Sequence, residues 1–248
     1  MKVHGQNNEI TFLDENGKKI KKIKGLELTI IGNCNKVIIN TPTDFTDFSV
    51  WIEGNCGTFI FEGSKNYIKN SMVKILDGGY VKIGQDTSMI NKAFLCSKGG
   101  KIILGKDCML ASDVTIRDND AHDIINKSGE ITNHPQQVII GDHVWIGMRA
   151  IILKNSEIGS DCIIGAGSVV VKKFPENNLM IAGNPAKVVK KDINWIRETS
   201  IKKSSVLQRI FLLIKPDIQI TAFRPYISQK PTVEPMKHSE GTGCFVLK

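Results

Sequence analysis

The feature that most constrains this chain is an aliphatic side chain at every sixth position of residues 138–171. An α-helix repeats near 3.6 residues and a β-strand near 2, so neither element alone explains a period of six. Three short strands per turn, each placing one aliphatic residue inward, explain the period and describe a triangular prism. Glycine at a corner lets such a coil turn without a clash. The residues that carry the period are Ile140, Ile146, Ile152, Ile158, Ile164 and Val170.

The same period extends towards the N-terminus in a weaker form. One trio of inward residues covers the three faces of a coil, so the repeat unit is 18 residues. The stretches "IIGNCNKVII" (30–39) and "IEGNCGTFIF" (52–61) repeat at a spacing of 22 and predict looser coils. A hexapeptide period with stacked coils indicates an all-β parallel β-helix rather than a sandwich of alternating strands. The earlier trios are Ile83, Met89 and Leu95, then Leu104, Leu110 and Ile116.

Two stretches break the pattern. Residues 117–137, "RDNDAHDIINKSGEITNHPQQ", lack the sixth-residue aliphatic, and we predict that they form a loop extruded from the prism wall. Loops of this length in a compact domain are usually functional. The repeat stops again after "GNPAKVV" (183–189), where Asp192 is expected to cap a short helix, "INWIRETS" (193–200), that covers the last coil.

These breaks divide the chain into three parts. We predict an N-terminal lead-in at 1–24, a β-helix domain at 25–190, and a short C-terminal helical cap with an irregular tail at 191–248. Within the tail, residues 204–215, "SSVLQRIFLLIK", carry apolar side chains at helical spacing. Packing against the prism or a neighbouring subunit is the main interpretation, and peripheral contact with a membrane surface is the alternative.

Composition limits the location and the partners. No apolar run reaches the ~20 residues of a membrane span, and the N-terminal stretch lacks the apolar core of a signal peptide, so we expect a cytoplasmic protein. The six cysteines form no CxxC pair and are expected to be buried free thiols rather than disulfides. Residues 165–248 hold 14 Lys and Arg against 6 Asp and Glu, a surplus equal to the net charge of +8. This surplus favours a phosphate-bearing partner or a solvated basic surface, and no pattern indicates nucleic-acid binding.

The coil series that begins "IIGDHVWIGMRAIIL" and ends "GNPAKVVK" resembles the hexapeptide-repeat acyltransferases. The resemblance covers about residues 80–190, and the coils at 25–80 match more loosely. A D-x-H loop followed by "HVWIG" is similar to the sugar O-acetyltransferases, including galactoside, capsule and polysialic acid enzymes. The resemblance implies a left-handed parallel β-helix, a homotrimer with sites between subunits, and acetyl-CoA as co-substrate. The chain has neither a Walker A sequence nor a GxGxxG motif.

The predicted chemistry is direct acetyl transfer to a hydroxyl of a sugar or surface polysaccharide. An alcohol is a poor nucleophile at neutral pH, and a histidine with a pKa near 6.5 can take its proton as the new bond forms. The resemblance places His122 at the position of the catalytic base. A neighbouring carboxylate, Asp120 or Asp123, would orient its ring; Asp120 is our choice for the catalytic pair, although the sequence does not decide between them.

Three residues are predicted to bind the acceptor. Trp145 suits stacking on a sugar or on the pantetheine arm, or packing at a trimer interface. Asn91 matches an acceptor-binding asparagine of the galactoside-type relatives, and is also an ordinary corner residue. His143 lies at an outward coil position, from which it would approach a neighbouring subunit's site or serve a turn. His134 is expected to have a local, structural role.

The remaining predicted site residues concern the co-substrate. Small residues let backbone amides approach the pantetheine closely, and basic side chains pair with the phosphates of CoA. The resemblance places Gly147, Ala166 and Gly167 beside the pantetheine. It places Lys172, Lys173 and Lys187 near the phosphates, although solvated lysines are common.

Three other functions compete with this interpretation. N-acetylation of an amino sugar needs the same donor and a similar base. A β-helix zinc carbonic anhydrase would need His122, His134 and His143 as ligands, but their spacings of 12 and 9 residues do not fit that family, and we predict no metal. A non-catalytic glycan-binding scaffold would not need His122. The sequence does not identify the sugar, the hydroxyl, or whether the acceptor is a monomer, a nucleotide sugar or a polymer.

Overall fold

The computed structural model describes residues 1–197, which form an all-strand, left-handed parallel β-helix with three faces. The first face is formed by β10 (Ser88–Met89), β13 (Met109–Leu110), β16 (Trp145–Ile146), β19 (Ile163–Ile164) and β22 (Met180–Gly183). The second face is formed by β1 (Lys2–His4), β4 (Leu26–Ile31), β6 (Asp44–Glu53), β8 (Tyr67–Leu76), β11 (Phe94–Lys98), β14 (Thr115–Arg117), β17 (Ile151–Ile152) and β20 (Val169–Val170).

The third face completes the prism. It is formed by β2 (Glu9–Leu13), β5 (Lys36–Asn40), β7 (Thr58–Phe61), β9 (Tyr80–Ile83), β12 (Lys101–Leu104), β15 (Val138–Ile140), β18 (Glu157–Ile158) and β21 (Lys173–Phe174). Two strands pair antiparallel with a neighbour, β3 (Lys19–Ile20) with β2 and β23 (Ala186–Lys190) with β22. Strands β1 and β2 lie in the stretch predicted as a lead-in, but they pair with β4 and β5 and so belong to the wall of the prism.

The predicted inward residues stack on one another from coil to coil. On the third face, Ile83 pairs with Leu104, Leu104 with Ile140, and Ile140 with Ile158 in parallel register. Each of these side chains is buried. The six-residue period therefore reports one buried aliphatic side chain per face, and the predicted β-helix is confirmed.

The N-terminal coils are wider and have an aromatic interior. Their strands pair at offsets of 22 to 27 residues, as Leu26 with Phe48 and Val3 with Ile30 show, whereas Ile139 pairs with Glu157 at an offset of 18. A longer coil encloses more volume, and close packing requires larger side chains to fill it. The rings of Phe45, Phe48, Phe59 and Phe61 supply this volume, with neighbouring centroids 4.8–6.3 Å apart.

The three corners of the prism are columns of residues with left-handed backbone. Asp and Asn tolerate this conformation better than most side chains, and glycine adopts it freely. Corner A, between the third and first faces, contains Asp86, Asp107, His143, Asp161 and Asn178, with φ of 52–59°. Corner B, between the first and second faces, contains Lys92, Asp113, Arg149 and Gly167, with φ of 58–68°. Corner C, between the second and third faces, contains Gly78, Gly99 and Asn155, with φ of 63–67°.

The predicted loop leaves the wall at corner C. Strand β14 ends at Arg117 and β15 begins at Val138, which pairs with Ile102 at an offset of 36 residues. The neck of the loop is closed by the amide N–H of Gln136, which donates to the carbonyl oxygen of Asp118 at 3.0 Å. Beyond the neck, one antiparallel bridge joins Ile125 to Ile131.

The C-terminal segment differs from the prediction. Residues 193–197, the described part of the predicted helix, are not helical, and Asp192 has φ of 56° rather than a helix cap. The backbone groups of Ile193 pair with the wall instead, because Ile193 N donates to the carbonyl oxygen of Asn178 and the side chain of Asn178 donates back to the carbonyl oxygen of Ile193, each at 3.1 Å. Residues 198–200 and the predicted helix at 204–215 lie outside the described residues. Within residues 1–197, no helix has the length and apolar character needed to cross a membrane.

Candidate active site

The loop begins at Asp118, a buried residue whose carboxyl group accepts several hydrogen bonds. One carboxylate oxygen of Asp118 accepts from the hydroxyl of Ser97, and the other accepts from Lys98 N at 2.9 Å and from Asn119 Nδ2 at 2.8 Å. Burial raises the pKa of Asp118 above its usual value, and the hydrogen bonds from Asn119, Ser97 and Lys98 oppose that shift. Asn119 is buried as well, and its Nδ2 also donates to the carbonyl oxygen of Cys96. The first residues of the loop are therefore fixed to the wall.

His122 is exposed, but Asn133 holds the backbone at the carbonyl group of His122 and at the amide of Ile124. The side-chain Nδ2 of Asn133 donates to the carbonyl oxygen of His122 at 2.8 Å, and its Oδ1 accepts from Ile124 N at 2.6 Å. Within residues 1–197, no hydrogen bond involves the imidazole ring of His122. The ring is therefore accessible at corner C while its attachment point is restrained.

The carboxylate of Asp120 is engaged by a cation. Its Oδ2 accepts from Lys154 Nζ and, at 2.8 Å, from Asn133 Nδ2. The hydrogen bond from Lys154, and secondly that from Asn133, hold the pKa of Asp120 below its usual value. In the described part of the chain, neither Asp120 nor Asp123 is hydrogen-bonded to the His122 ring, so the choice between them stays a prediction.

Sequence reasoning missed Lys154 and Asn133. Lys154 stands one residue before Asn155 at corner C, in the coil that follows the loop. Its ammonium also donates to the carbonyl oxygens of Asn133 at 3.0 Å and His134 at 3.4 Å. The one available signal is the position of Lys154 in the repeat, which places it at the corner from which the loop emerges.

His143 belongs to a separate cluster at corner A. Its Nδ1 lies 2.9 Å from Asp161 Oδ1, and its Nε2 lies 3.7 Å from Asp107 Oδ2. The indole of Trp195 stacks on the imidazole with ring centroids 4.2 Å apart, and its Nε1 donates to the carbonyl oxygen of His143 at 2.8 Å. The C-terminal segment thus covers one side of His143.

Arg197 fixes the end of the described chain to the same corner. Its guanidinium donates to Asp107 Oδ1 through Nε at 3.1 Å and Nη2 at 2.7 Å, and to the hydroxyl of Ser88 at 2.7 Å. Beside the Arg197 guanidinium lies a cavity of about 180 Å³ on the first face. Its lining includes Met109, which pairs with Trp145 on the neighbouring strand of that face. The cavity is lined by Asn66, Tyr67, Ser88, Ile90, Met109, Leu110 and Arg197.

The predicted acceptor residues are spread over the prism. Trp145 lies on the first face, 37% exposed, with its ring 6.2 Å from that of Trp195. Asn91 lies at corner B with φ of 47°, and its Nδ2 is 3.5 Å from the hydroxyl of Ser112. His122 lies at corner C, across the prism from the first face. A single chain therefore does not gather His122 with Trp145 and Asn91.

The predicted co-substrate glycines have different surroundings. A Cβ on Gly147 would lie 2.6 Å from Ala166 N and 2.7 Å from Ile164 O, so coil stacking itself requires glycine there. Gly167 has φ of 68° with nothing within 4 Å of an added Cβ, and its neighbour Ala166 is exposed. Corner B is therefore open to solvent at Ala166 and Gly167, while Gly167 N donates to the carbonyl oxygen of Met148 at 2.8 Å.

The predicted lysines lie on the last coils. Lys173 Nζ is 3.6 Å from Glu157 Oε2, and Lys172 Nζ lies 5.3 Å from the centre of the Phe174 ring. Within residues 1–197, neither Lys172 nor Lys187 forms an ion pair, and both are exposed. Their ammonium groups fit a ligand that carries phosphates.

The histidines do not converge as a metal site would require. His122 and His134 lie in the loop at corner C, whereas His143 lies at corner A. Among residues 1–197, no group of three or more His, Cys, Asp or Glu side chains is placed to hold a metal ion.

Comparison with known proteins gives consistent matches. Residues 137–172 match the family described as bacterial transferase hexapeptide (six repeats). The chain is 38% identical over 174 residues to a polysialic acid O-acetyltransferase of Neisseria meningitidis, covering 69% of this chain and 80% of that protein. The structure of the polysialic acid O-acetyltransferase OatWY superposes with a TM-score of 0.67 at 31% identity, covering 84% of this chain and 98% of that one. That of the polysialic acid-specific acetyltransferase NeuO gives 0.61 at 29% identity, with 85% and 96% covered.

Proposed function

Since the chain belongs to the acetyl-CoA-dependent sugar O-acetyltransferases of the hexapeptide-repeat superfamily, we propose that His122 is the general base with which it acetylates a glycan hydroxyl. The observation that carries this proposal is the geometry of the loop. The ring of His122 is exposed, while Asn133 holds the backbone at the carbonyl group of His122 and at the amide of Ile124. An accessible imidazole on a restrained backbone is what proton transfer to a bound substrate requires.

The proposed reaction is a direct transfer. Acetyl-CoA supplies a thioester carbonyl activated towards attack by an alcohol. The imidazole of His122 takes the hydroxyl proton as the oxygen–carbon bond forms and the carbon–sulfur bond breaks. The same proton can then pass from the imidazolium to the departing thiolate, which returns His122 to its neutral form. No acyl-enzyme is needed, so no serine or cysteine nucleophile is required.

The site is proposed to lie between subunits of a homotrimer. His122 at corner C and Trp145 on the first face of the same chain lie on different sides of the prism, so a neighbouring copy has to supply one of them. The loop also exposes Ile124, Ile125 and Ile131 by 56%, 62% and 43%. Exposed aliphatic side chains grouped in this way are typical of a contact surface.

Binding of acetyl-CoA is assigned to the late coils. The exposed backbone at Ala166 and the carbonyl oxygen of Gly167 would pair with the pantetheine amides, and Lys172 and Lys187 would face the phosphates. Lys173, which lies near Glu157, would contribute less. We place the reaction in the cytoplasm, which is a reducing compartment, and the free thiols of the five cysteines within residues 1–197 support that location. Cys34 and Cys56 are exposed rather than buried as predicted, and the other three are buried.

The acceptor is proposed to be a surface polysaccharide or its sugar units. The two matched structures and the Neisseria relative are named for polysialic acid. Stacking of a sugar ring on the half-exposed Trp145 is the proposed contact.

The test is a turnover assay with acetyl-CoA against neutral sugars, amino sugars and sialic acid oligomers. We expect CoA release with a glycan acceptor, and NMR of the product should show an O-acetyl rather than an N-acetyl group. His122→Ala should lower the rate roughly 10²–10⁴-fold with unchanged circular dichroism. His134→Ala, in the same loop, is the matched control and should retain activity. Undiminished transfer by His122→Ala would show that the base lies elsewhere.

A further inference from the structure

We propose that Asn133 and Lys154 are positioning residues for His122, acting together with Asp120. These three residues are called the loop brace below. The inference rests on the proposed role of His122 as the base, and it concerns how this chain fixes the base in place. None of the three needs to contact the substrate, because their contacts run to the loop backbone and to one another.

Asn133 forms the centre of the loop brace. Its one carboxamide contacts Asp120 Oδ2 at 2.8 Å, the carbonyl oxygen of His122 at 2.8 Å and the amide of Ile124 at 2.6 Å. Asp120, His122 and Ile124 are every second residue of the chain, so the side-chain carboxamide of Asn133 spans the segment that carries the proposed base. Residues 118–124 form no strand, and these hydrogen bonds join the outgoing part of the loop to its returning part.

Lys154 connects the loop brace to the wall. Its ammonium donates to Asp120 Oδ2 on the outgoing part and to the carbonyl oxygens of Asn133 and His134 on the returning part. An ammonium has three N–H donors, and all three are used here. Lys154 lies two residues after Ile152, whose side chain is fully buried in the stacked core. The loop is therefore tied to a rigid element one coil further along.

The charges strengthen this arrangement. The side chains of Lys154 and Asp120 are 20% and 33% exposed, so the pair is partly shielded from water. Lys154, and then Asn133, hold the pKa of Asp120 below its usual value, so its carboxylate stays ionised at neutral pH. Charge-assisted hydrogen bonds are shorter and stronger than neutral ones. Asp120 thus affects His122 through the backbone of the loop, not through a hydrogen bond to its ring.

Loss of the loop brace should affect the chemical step more than donor binding. A misplacement of a catalytic group by about 1 Å can cost about 10²-fold in rate. The residues assigned to acetyl-CoA lie at corner B and on the last coils, away from the loop brace. Removal of Asn133 or Lys154 should therefore lower kcat and leave KM for acetyl-CoA nearly unchanged.

The experiment compares four variants in the acetyl-transfer assay. Asn133→Ala and Lys154→Met should each lower kcat roughly 10- to 100-fold, and Lys154→Arg should restore most of the loss because it keeps the positive charge and the donors. Lys127→Met makes the same chemical change at the loop tip, where the structure gives Lys127 no partner among residues 1–197, and should behave as wild type. Circular dichroism and the trimer mass are measured for each protein.

The outcomes separate this inference from the proposed function. If His122→Ala is inactive while Asn133→Ala and Lys154→Met keep wild-type kcat, the loop brace has no role in positioning and the inference is wrong. If His122→Ala is fully active, the proposed base is wrong and the inference falls with it. Should Lys154→Met fail to fold, Asn133→Ala decides, and a kcat equal to wild type in that variant refutes the inference. A rise in KM for acetyl-CoA with unchanged kcat would also contradict it.

Discussion

At the scale of single residues, two aspartates two positions apart have opposite electrostatic surroundings. Asp118 is fully buried, and burial raises the pKa of its carboxyl group. Asp120 is partly exposed beside Lys154, which lowers its pKa. The first anchors the neck of the loop as a buried hydrogen-bond acceptor, and the second holds the outgoing part of the loop as the acceptor of an ion pair.

These opposite shifts predict opposite pH dependences. Because the pKa of folded Asp120 lies below its usual value of 3.8, its stabilising effect is present above that value and is lost as the pH falls through the folded pKa. The unfolding free energy of wild type relative to Asp120→Asn should be flat at neutral pH and shrink below about pH 4. For Asp118, whose pKa is raised, the relative stability against Asp118→Asn should instead decrease as the pH rises above 3.8. Urea unfolding across a pH series measures both differences, and slopes of the same sign would contradict the assignment.

The loop shows which features of a site can be predicted from a sequence. A broken repeat predicts an extruded loop because it is a local pattern, whereas the proposed role of His122 as the base came from the family resemblance. The contacts of Asn133 with Asp120 and of Lys154 with the loop depend on side chains that meet across separations of 13 and 34 residues. No periodicity encodes such contacts, so the loop brace could not be predicted.

At the scale of elements, the stacking of the coils and the turns at their corners decide at which positions the chain requires glycine. Gly147 lies against the backbone of the next coil, and Gly167 turns an open corner. The fold was predictable because the same local requirement recurs in every coil. The C-terminal segment does not repeat in this way, because Trp195 hydrogen-bonds to His143 at a separation of 52 residues. The expected helix is therefore replaced by a non-helical segment in contact with the wall.

Alanine substitutions at these two glycines should therefore differ. Gly147→Ala forces a Cβ against Ala166 N and Ile164 O and should cost about 3 kcal/mol of unfolding free energy, as overpacking against backbone does. Gly167→Ala meets no neighbour and should cost about 1 kcal/mol for its left-handed backbone. Urea unfolding at one fixed protein concentration measures both values. A larger loss at Gly167 than at Gly147 would refute the stacking argument.

At the scale of the whole molecule, the predicted site residues lie on different sides of the prism. His122 is at corner C, Trp145 is on the first face, and the open backbone of Gly167 is at corner B. A rigid prism cannot fold these sides together, so the proposed trimer is the arrangement in which corner C of one copy would meet the first face of the next.

This arrangement predicts complementation between inactive subunits. His122→Ala and Trp145→Ala trimers should each be poorly active, because each lacks one half of every site. After unfolding and joint refolding at equal amounts, about one quarter of the sites in randomly mixed trimers should contain both native residues. Recovery of acetyl transfer near that fraction supports sites between subunits. Mixtures no more active than the separate variants would place both residues in one chain's site.

The closed neck of the loop has a consequence for how such proteins can diversify. Gln136 and Asp118 join the two ends of the loop at one corner, and the coils on either side keep their register as if the extra residues were absent. The loop is therefore structurally independent of the stacked coils. Its length and composition can change without shifting the buried core on which it stands. A change of sequence beyond the neck should therefore leave the strand pairing of the neighbouring coils unchanged.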